Sequence, residues 1–188
     1  PDSVQVRGGS CAIVGLPNVG KSTLLNRLVG RHLVAVSPKP QTTRNRILGI
    51  HRSQVVDLEP PAVEICFVDT PGIQHGKGAL RRFMRTEALS AAADGDLTLL
   101  VVDASERRGA GPGRLDEPDA AELLTAIADT PIVLALNKVD RVHKPELLPL
   151  IERWSAWGQA RASGVEIVPI SASTGDNVDA LVRTIAQR

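Results

Sequence analysis

At 188 residues, with 43% hydrophobic and 23% charged side chains, the chain has material for one well-cored domain and is short for two. A net charge of +1 argues against a strongly basic nucleic-acid-binding surface, and an aromatic content of 2% with no Tyr leaves little on which single-stranded bases could stack. No apolar run approaches the roughly 20 residues of a membrane span and no stretch has the pattern of a signal peptide; two cysteines inside apolar segments fit a reducing, cytoplasmic setting.

Taken in chain order, residues 1–8 read as a flexible N-terminus and 11–14 as a buried strand. Then comes Gly15-Leu16-Pro17-Asn18-Val19-Gly20-Lys21-Ser22, and a helix over 21–29 carrying Leu24, Leu25 and Leu28. Residues 46–57 read as a strand pairing antiparallel with 63–69 across a Glu59-Pro60-Pro61 turn. A helix follows over 78–93, a strand over 97–102, and a surface loop over 106–117 that is dense in Gly, Pro and charge. Further helices are expected over 118–128, 145 to about 162 and 176–187, with strands at 132–136 and 165–170 between them. Pro149 near the start of the second of these causes little disruption within its first turn or so. Asp176 with Asp179 resembles an N-cap signature for the third. Near-continuous Val/Ile/Leu strands alternating with helices imply a doubly wound α/β fold built on a parallel sheet. Cys11 and Cys66 lie inside strand candidates and read as buried small hydrophobes, not as a disulfide or metal pair.

The motif at 15–22 has the spacing of a loop whose backbone N–H groups wrap a nucleotide phosphate. Gly15 and Gly20 permit close backbone approach, and Lys21 supplies a point charge to the β- and γ-phosphates. Ser22 offers a hydroxyl to Mg²⁺, and the positive end of the helix adds attraction for the anion. Asn18, Val19, Gly20, Lys21, Ser22 and Thr23 are therefore the candidate phosphate-binding residues.

Asn137-Lys138-Val139-Asp140 leaves the end of the strand at 132–136, where α/β sheets bind their ligands. The Asp140 carboxylate can accept from the N1–H and 2-amino group of guanine, a donor pair that adenine lacks; mispairing a buried charged acceptor costs on the order of 1.5–3 kcal/mol. Lys138 would lie along the ring and brace the phosphate loop, and Asn137 would hold neighbouring loops together. Asp69-Thr70-Pro71-Gly72 ends another strand; there Asp69 can hold Mg²⁺ through a water and the Gly72 N–H can meet a γ-phosphate. Ser171-Ala172-Ser173 follows the last strand, with the Ala172 backbone in reach of the guanine O6.

With these motifs in hand, the chain resembles the G domain of the translation-factor-related GTPases, and within them the Era family. The stretch Ser37-Pro38-Lys39-Pro40-Gln41-Thr42-Thr43-Arg44-Asn45-Arg46-Ile47-Leu48-Gly49-Ile50 is similar to that family's first switch. The resemblance covers roughly residues 9–187. It implies a single P-loop GTPase G domain over 1–188, three-layered α/β/α around a mostly parallel six-stranded sheet with one antiparallel edge strand. By the same resemblance Thr43, or failing that Thr42, would bind Mg²⁺ only when GTP is present, and loss of the γ-phosphate would release it together with Gly72. The family carries a C-terminal KH domain that binds ribosomal RNA. This chain shows no Gly-x-x-Gly RNA loop after its last helix, so a small-subunit or rRNA role would run through a domain absent here. A monomer is expected.

Many GTPases place a water-orienting Gln directly after the DxxG glycine; here Ile73 stands there, and an apolar side chain cannot orient water. The chain resembles GTPases with a hydrophobic residue at that site, some of which recruit K⁺. In that resemblance Asn18 would help coordinate K⁺ where an arginine finger would otherwise act. Lys21, Asn18, Thr43 and Gly72 are thus the expected catalytic set, whereas Gln74 and His75 read as exposed residues. Two functions stay open: a Mg²⁺-dependent GTP hydrolase switching between GTP and GDP forms, and a nucleotide-responsive binding module with negligible hydrolysis that docks a ribosomal or protein partner.

Overall fold

The computed structural model describes residues 5–34, 46–71, 79–106, 124–125, 127, 130–160 and 164–188. Residues 37–45 of the expected first switch at 37–50, the segment 72–78 with Gly72, Ile73, Gln74 and His75, and most of the expected helix at 118–128 lie outside the described residues. In chain order the elements are β1 (Arg7–Val14), α1 (Lys21–Val29), β2 (Ile47–Gln54), β3 (Ala62–Asp69), α2 (Ala79–Asp94) and β4 (Leu97–Asp103). They continue with β5 (Ile132–Asn137), a 3₁₀ turn (Val139–Arg141), α3 (Lys144–Gln159), β6 (Val165–Pro169) and α4 (Val178–Ala186).

The six strands form one sheet in the order β2-β3-β1-β4-β5-β6, parallel throughout except for β2, which runs antiparallel to β3 at the edge. From β1 the chain builds outward to β3 and β2 on one side and to β4, β5 and β6 on the other. The loops leaving the carboxyl ends of β1, β3 and β5 therefore face one crevice.

Burial follows from this arrangement. All six residues of β5 and the last four of β1 are buried, as strands covered on both faces must be. One face packs Ile13, Phe67, Leu99 and Val101 under α1 and α4 through Leu24, Leu25, Leu28, Leu181 and Val182. The other packs Ala12, Val14, Leu100, Leu134 and Leu136 against Ala88 and Ala92 of α2 and Leu150 and Trp154 of α3. Each fully buried large apolar side chain contributes about 1.5–3 kcal/mol. Gly49 lets β2 close on α1, since a Cβ there would sit 2.6 Å from Val29 Cγ2. Pro149 lies inside α3, which runs through it to Gln159.

Three expectations need correction. Strand β1 begins at Arg7, inside the stretch assigned to a flexible terminus, because Arg7 and Gly8 pair with Val63 and Glu64 of β3. The α4 N-cap is Asn177, not Asp176. Its backbone is left-handed (φ 58°) and makes no side-chain cap; its Nδ2 instead donates 2.8 Å to Pro169 O, tying the helix start to β6. Cys11 is buried, but Cys66 is only half-buried, because it lies opposite Ile50 on a face of the β2–β3 ribbon where Leu48 and Ile50 stay exposed. Both thiols are free. Among the described residues no helix is long and apolar enough to cross a membrane.

Candidate functional site

The loop between β1 and α1 takes its shape from two glycines. Gly15 (φ +149°) brings the chain so close to β4 that a Cβ would lie 2.4 Å from Val101 O. Gly20 (φ +104°) passes Asn137 so closely that a Cβ would lie 2.3 Å from its Nδ2. Asn18 between them is also left-handed (φ 64°), a conformation that Asn tolerates better than most residues. Helix α1 then starts with no side-chain cap and no acidic residue in its first turn, which leaves its N-terminal N–H groups for an anion from outside the helix.

Lys21 is buried, and its Nζ donates to Gly15 O (3.0 Å) and Leu16 O (2.9 Å), lying across the loop it serves. Burial lowers its pKa from 10.5 to about 8, against the opposing pull of the Asp69 carboxylate. One residue on, Ser22 Oγ donates 3.0 Å to Asp69 Oδ2 at the end of β3. A hydroxyl and a carboxylate held together from two elements form a hard-oxygen pair suited to Mg²⁺. Among the described residues no group of three or more His, Cys, Asp or Glu side chains could hold a metal. An ion here would take its remaining oxygens from nucleotide and water, the usual arrangement for Mg²⁺. Thr70 Oγ1 donates 2.8 Å to Ile13 O and locks the end of β3 to β1.

The base-facing loops are cross-linked to this one. Asn137 is buried at the end of β5; its Nδ2 donates 2.8 Å to Val19 O, and its Oδ1 accepts from Ala172 N–H at 2.9 Å. One side chain thus joins the phosphate loop, β5 and the Ser171–Ser173 loop, the bridging arrangement its position in the motif suggests. Lys138 (φ 67°) sends its Nζ to Asn18 O (2.6 Å) and to Asp103 Oδ2 (2.5 Å), bracing the phosphate loop. Asp140 sits in the following 3₁₀ turn with its side chain 28% exposed and Arg141 Nε 3.9 Å away. The Ala172 N–H expected to meet guanine O6 faces Asn137 Oδ1 here. Ser171 Oγ lies 3.0 Å from Ser173 Oγ and accepts from Thr174 N–H.

The structure therefore brings together Asn18, Val19, Gly20, Lys21, Ser22, Thr23, Asp69, Asn137, Lys138, Asp140, Ser171, Ala172 and Ser173 at the carboxyl ends of β1, β3, β5 and β6. Thr43 and Gly72 lie outside the described residues. Three supporting residues escape the sequence reading. Asp103 accepts from Ser105 N–H and Oγ as well as from Lys138, and only the Asp-x-Ser spacing after β4 signals it. Buried Asn26 ties α1 to Leu33 N–H, Val34 N–H and Val34 O. Arg27 reaches from α1 to the carbonyls of Ala172 and Ser173, and nothing in the sequence announces it.

This geometry has known counterparts. Residues 10–138 match the family model described as 50S ribosome-binding GTPase. GTPase Era of Geobacter sp. strain M21 is 46% identical over 181 residues, covering 96% of this chain and 55% of that protein. The chain thus spans about half the length of the curated relatives it matches. Era from Aquifex aeolicus, solved as a variant with GDP·AlF₄⁻, superposes with a TM-score of 0.80 at 36% identity, covering 96% of this chain and 56% of that one. Era in complex with MgGDPNP and nucleotides 1506–1542 of 16S ribosomal RNA also gives 0.80 at 36% identity, covering 97% and 57%. With its loops, sheet order and family match in agreement, the chain belongs to the 50S ribosome-binding GTPase family.

Proposed function

We propose that this chain binds guanine nucleotide and hydrolyses GTP to GDP and phosphate, with Mg²⁺ required. The observation that carries the reading is the pair of bridges from Asn137 and Lys138 to Val19 and Asn18, which hold a base-reading carboxylate and a phosphate loop in one crevice. In this reading the α1 N-terminus and Lys21 bind the β- and γ-phosphates, and Lys21 leaves the loop carbonyls for the anion. Ser22 and Asp69 would hold Mg²⁺, which supplies positive charge to the phosphate oxygens as charge builds on them. Asp140 accepts from guanine N1–H and the 2-amino group. Ala172 N–H turns from Asn137 Oδ1, or is shared with it, to meet O6.

Asn18 is the chain's candidate for K⁺ coordination, supported by its left-handed backbone and its place between loop and base-side lysine. In this reading the Thr43 hydroxyl joins Ser22 and Asp69 as a Mg²⁺ ligand when GTP is present, and the Gly72 N–H meets the γ-phosphate. The partner is the small ribosomal subunit or its RNA, met through a part of the protein other than these residues and supported by the rRNA held by one solved relative, and the setting is cytoplasmic. GTP turnover with Mg²⁺, in K⁺ and in Na⁺, tests the proposal. Asp140→Ala is expected to weaken GTP at least tenfold and to erase preference over ATP. Unchanged nucleotide preference overturns the guanine assignment, persistence of bound GTP overturns hydrolysis, and equal rates in the two salts remove the K⁺ role.

A further inference from the structure

Arg27 projects from the last turn of α1, one and a half turns beyond the residues that face phosphate, and ends on a different loop. Its Nε donates 3.3 Å to Ala172 O and its Nη2 donates 2.5 Å to Ser173 O. Gly175 makes room for it: a Cβ there would lie 3.3 Å from Nη1, and the glycine backbone is left-handed (φ +91°). The Ser171–Asp176 loop closes on itself through Gly175 N–H to Ser171 O (2.8 Å) and Ser171 N–H to Asp176 O (3.0 Å).

A trans peptide points its C=O and N–H to opposite sides. Pinning Ala172 O to Arg27 therefore turns the Ser173 N–H away from α1, and the Ala172 N–H already faces Asn137 at the end of β5. The same rule is visible one peptide further on. Ser173 O faces Arg27, and the Thr174 N–H on the inner side donates to Ser171 Oγ at 3.2 Å. Arg27 thus holds two consecutive carbonyls outward and turns the amides at 173 and 174 inward, so that the Ser173 N–H lies beside the Ala172 N–H that Asn137 holds. Guanine offers an acceptor, O6, at purine position 6, whereas adenine offers an amino donor there, so two inward amides discriminate between them.

We infer that Arg27 is a positioning residue for base selection, a strut that fixes the peptide planes of the Ala172–Ser173 turn so that its amides read purine position 6. This rests on the guanine assignment above. Arg27 ends on the carbonyls of Ala172 and Ser173 and is exposed, so its removal spares the core.

The test measures Kd for GDP, 6-thio-GDP and IDP with the parent chain, Arg27→Ala and Arg27→Lys. Sulfur at position 6 is a weak acceptor but leaves N1–H and the 2-amino group intact for Asp140, whereas IDP keeps O6 and N1–H and lacks only the 2-amino group, so the GDP/IDP ratio reports on Asp140. Arg27→Ala is expected to weaken GDP about five- to tenfold, the scale of one lost neutral hydrogen bond between a loop amide and O6, while 6-thio-GDP changes less than twofold. Its GDP/IDP ratio should match the parent's, and Arg27→Lys should regain part of the GDP affinity. Weakening of GDP and 6-thio-GDP by the same factor, including no weakening of either, overturns the strut. A GDP/IDP ratio near one in the parent instead overturns the guanine assignment, so the two failures are distinguishable.

Discussion

The two halves of the crevice are built by different means. On the base side, Asn137, Lys138, Asp103 and Arg27 interlock through side-chain hydrogen bonds that cross from element to element. On the phosphate side the shape is mostly backbone, and the charged group, Lys21, is buried against carbonyls with its pKa lowered to about 8. The base side is held by bonds among the chain's own groups. The phosphate side instead keeps a desolvated cation, which a phosphate would stabilise and whose carbonyl contacts it would replace.

The sharpest way to break this contrast is at Gly20, where the halves touch. Gly20→Ala forces a Cβ to 2.3 Å from Asn137 Nδ2 at a φ that L-residues rarely adopt. Strain of about 1–3 kcal/mol adds to the loss of the Asn137 bond to Val19 O, so nucleotide affinity should fall at least a hundredfold. Titration with a fluorescent guanine nucleotide checks it; retention of affinity within tenfold would mean that Asn137 can move without cost and that the halves are not coupled there.

Asn137→Ala comes next. It leaves Val19 O and Ala172 N–H without their side-chain partner in a buried setting, for about 2–4 kcal/mol of stability. Asn137→Asp separates the two bonds, because a carboxylate still accepts from Ala172 N–H but cannot donate to Val19 O. If the bridge matters through both ends, denaturant midpoints should rank parent above Asp and Ala. An Asp variant as stable as the parent would assign the whole contribution to the Ala172 end.

Lys21 yields a pH signature that the base side lacks. With its pKa lowered to about 8 in the nucleotide-free chain, Lys21 is largely protonated below that pH and binds phosphate at full strength. Bound phosphate favours the cation, so affinity should fall by up to tenfold per pH unit above about 8, and binding near pH 8 should take up a proton. Stability of the nucleotide-free chain moves the other way. Between about 8 and 10.5 the unfolded chain holds the Lys21 proton that the folded chain has lost, so this group's contribution to unfolding free energy rises with pH. Calorimetry in two buffers of different ionisation enthalpy reads the proton; no uptake at pH 8 would mean that Lys21 is not the group meeting phosphate.

How much of this was legible in the sequence differs between the halves for a physical reason. The phosphate loop is local: Gly15, Gly20, Lys21 and Ser22 act within eight residues, so spacing alone identifies them. The edge strand β2 and its hairpin to β3 were also readable, because alternation and the Pro-containing turn are local signals. The base side depends on long-range contacts. Asp140 was readable from its motif, but the Arg27 contact spans 145 residues and depends on how α1 is rotated against the sheet, which no spacing encodes. The α4 cap was misplaced for a similar reason, since Asn177 answers to Pro169 O on β6 and not to its own helix.

The smallest expected effect tests whether the base side needs charge or only shape. Asp103→Asn keeps an oxygen for Ser105 N–H and Oγ but removes the anion facing Lys138 Nζ. Both side chains of that pair are mostly buried, 21% and 15% exposed, so solvent screens them only in part. Its loss should cost about 1 kcal/mol, a several-fold faster release of GDP with little change in association rate. Lys138 would retain its bond to Asn18 O, so the phosphate loop stays braced from one side. An unchanged release rate would show that Lys138 is held by Asn18 O and the backbone alone, and that the interlocking of the base side is a matter of hydrogen-bond geometry without need of the carboxylate's charge.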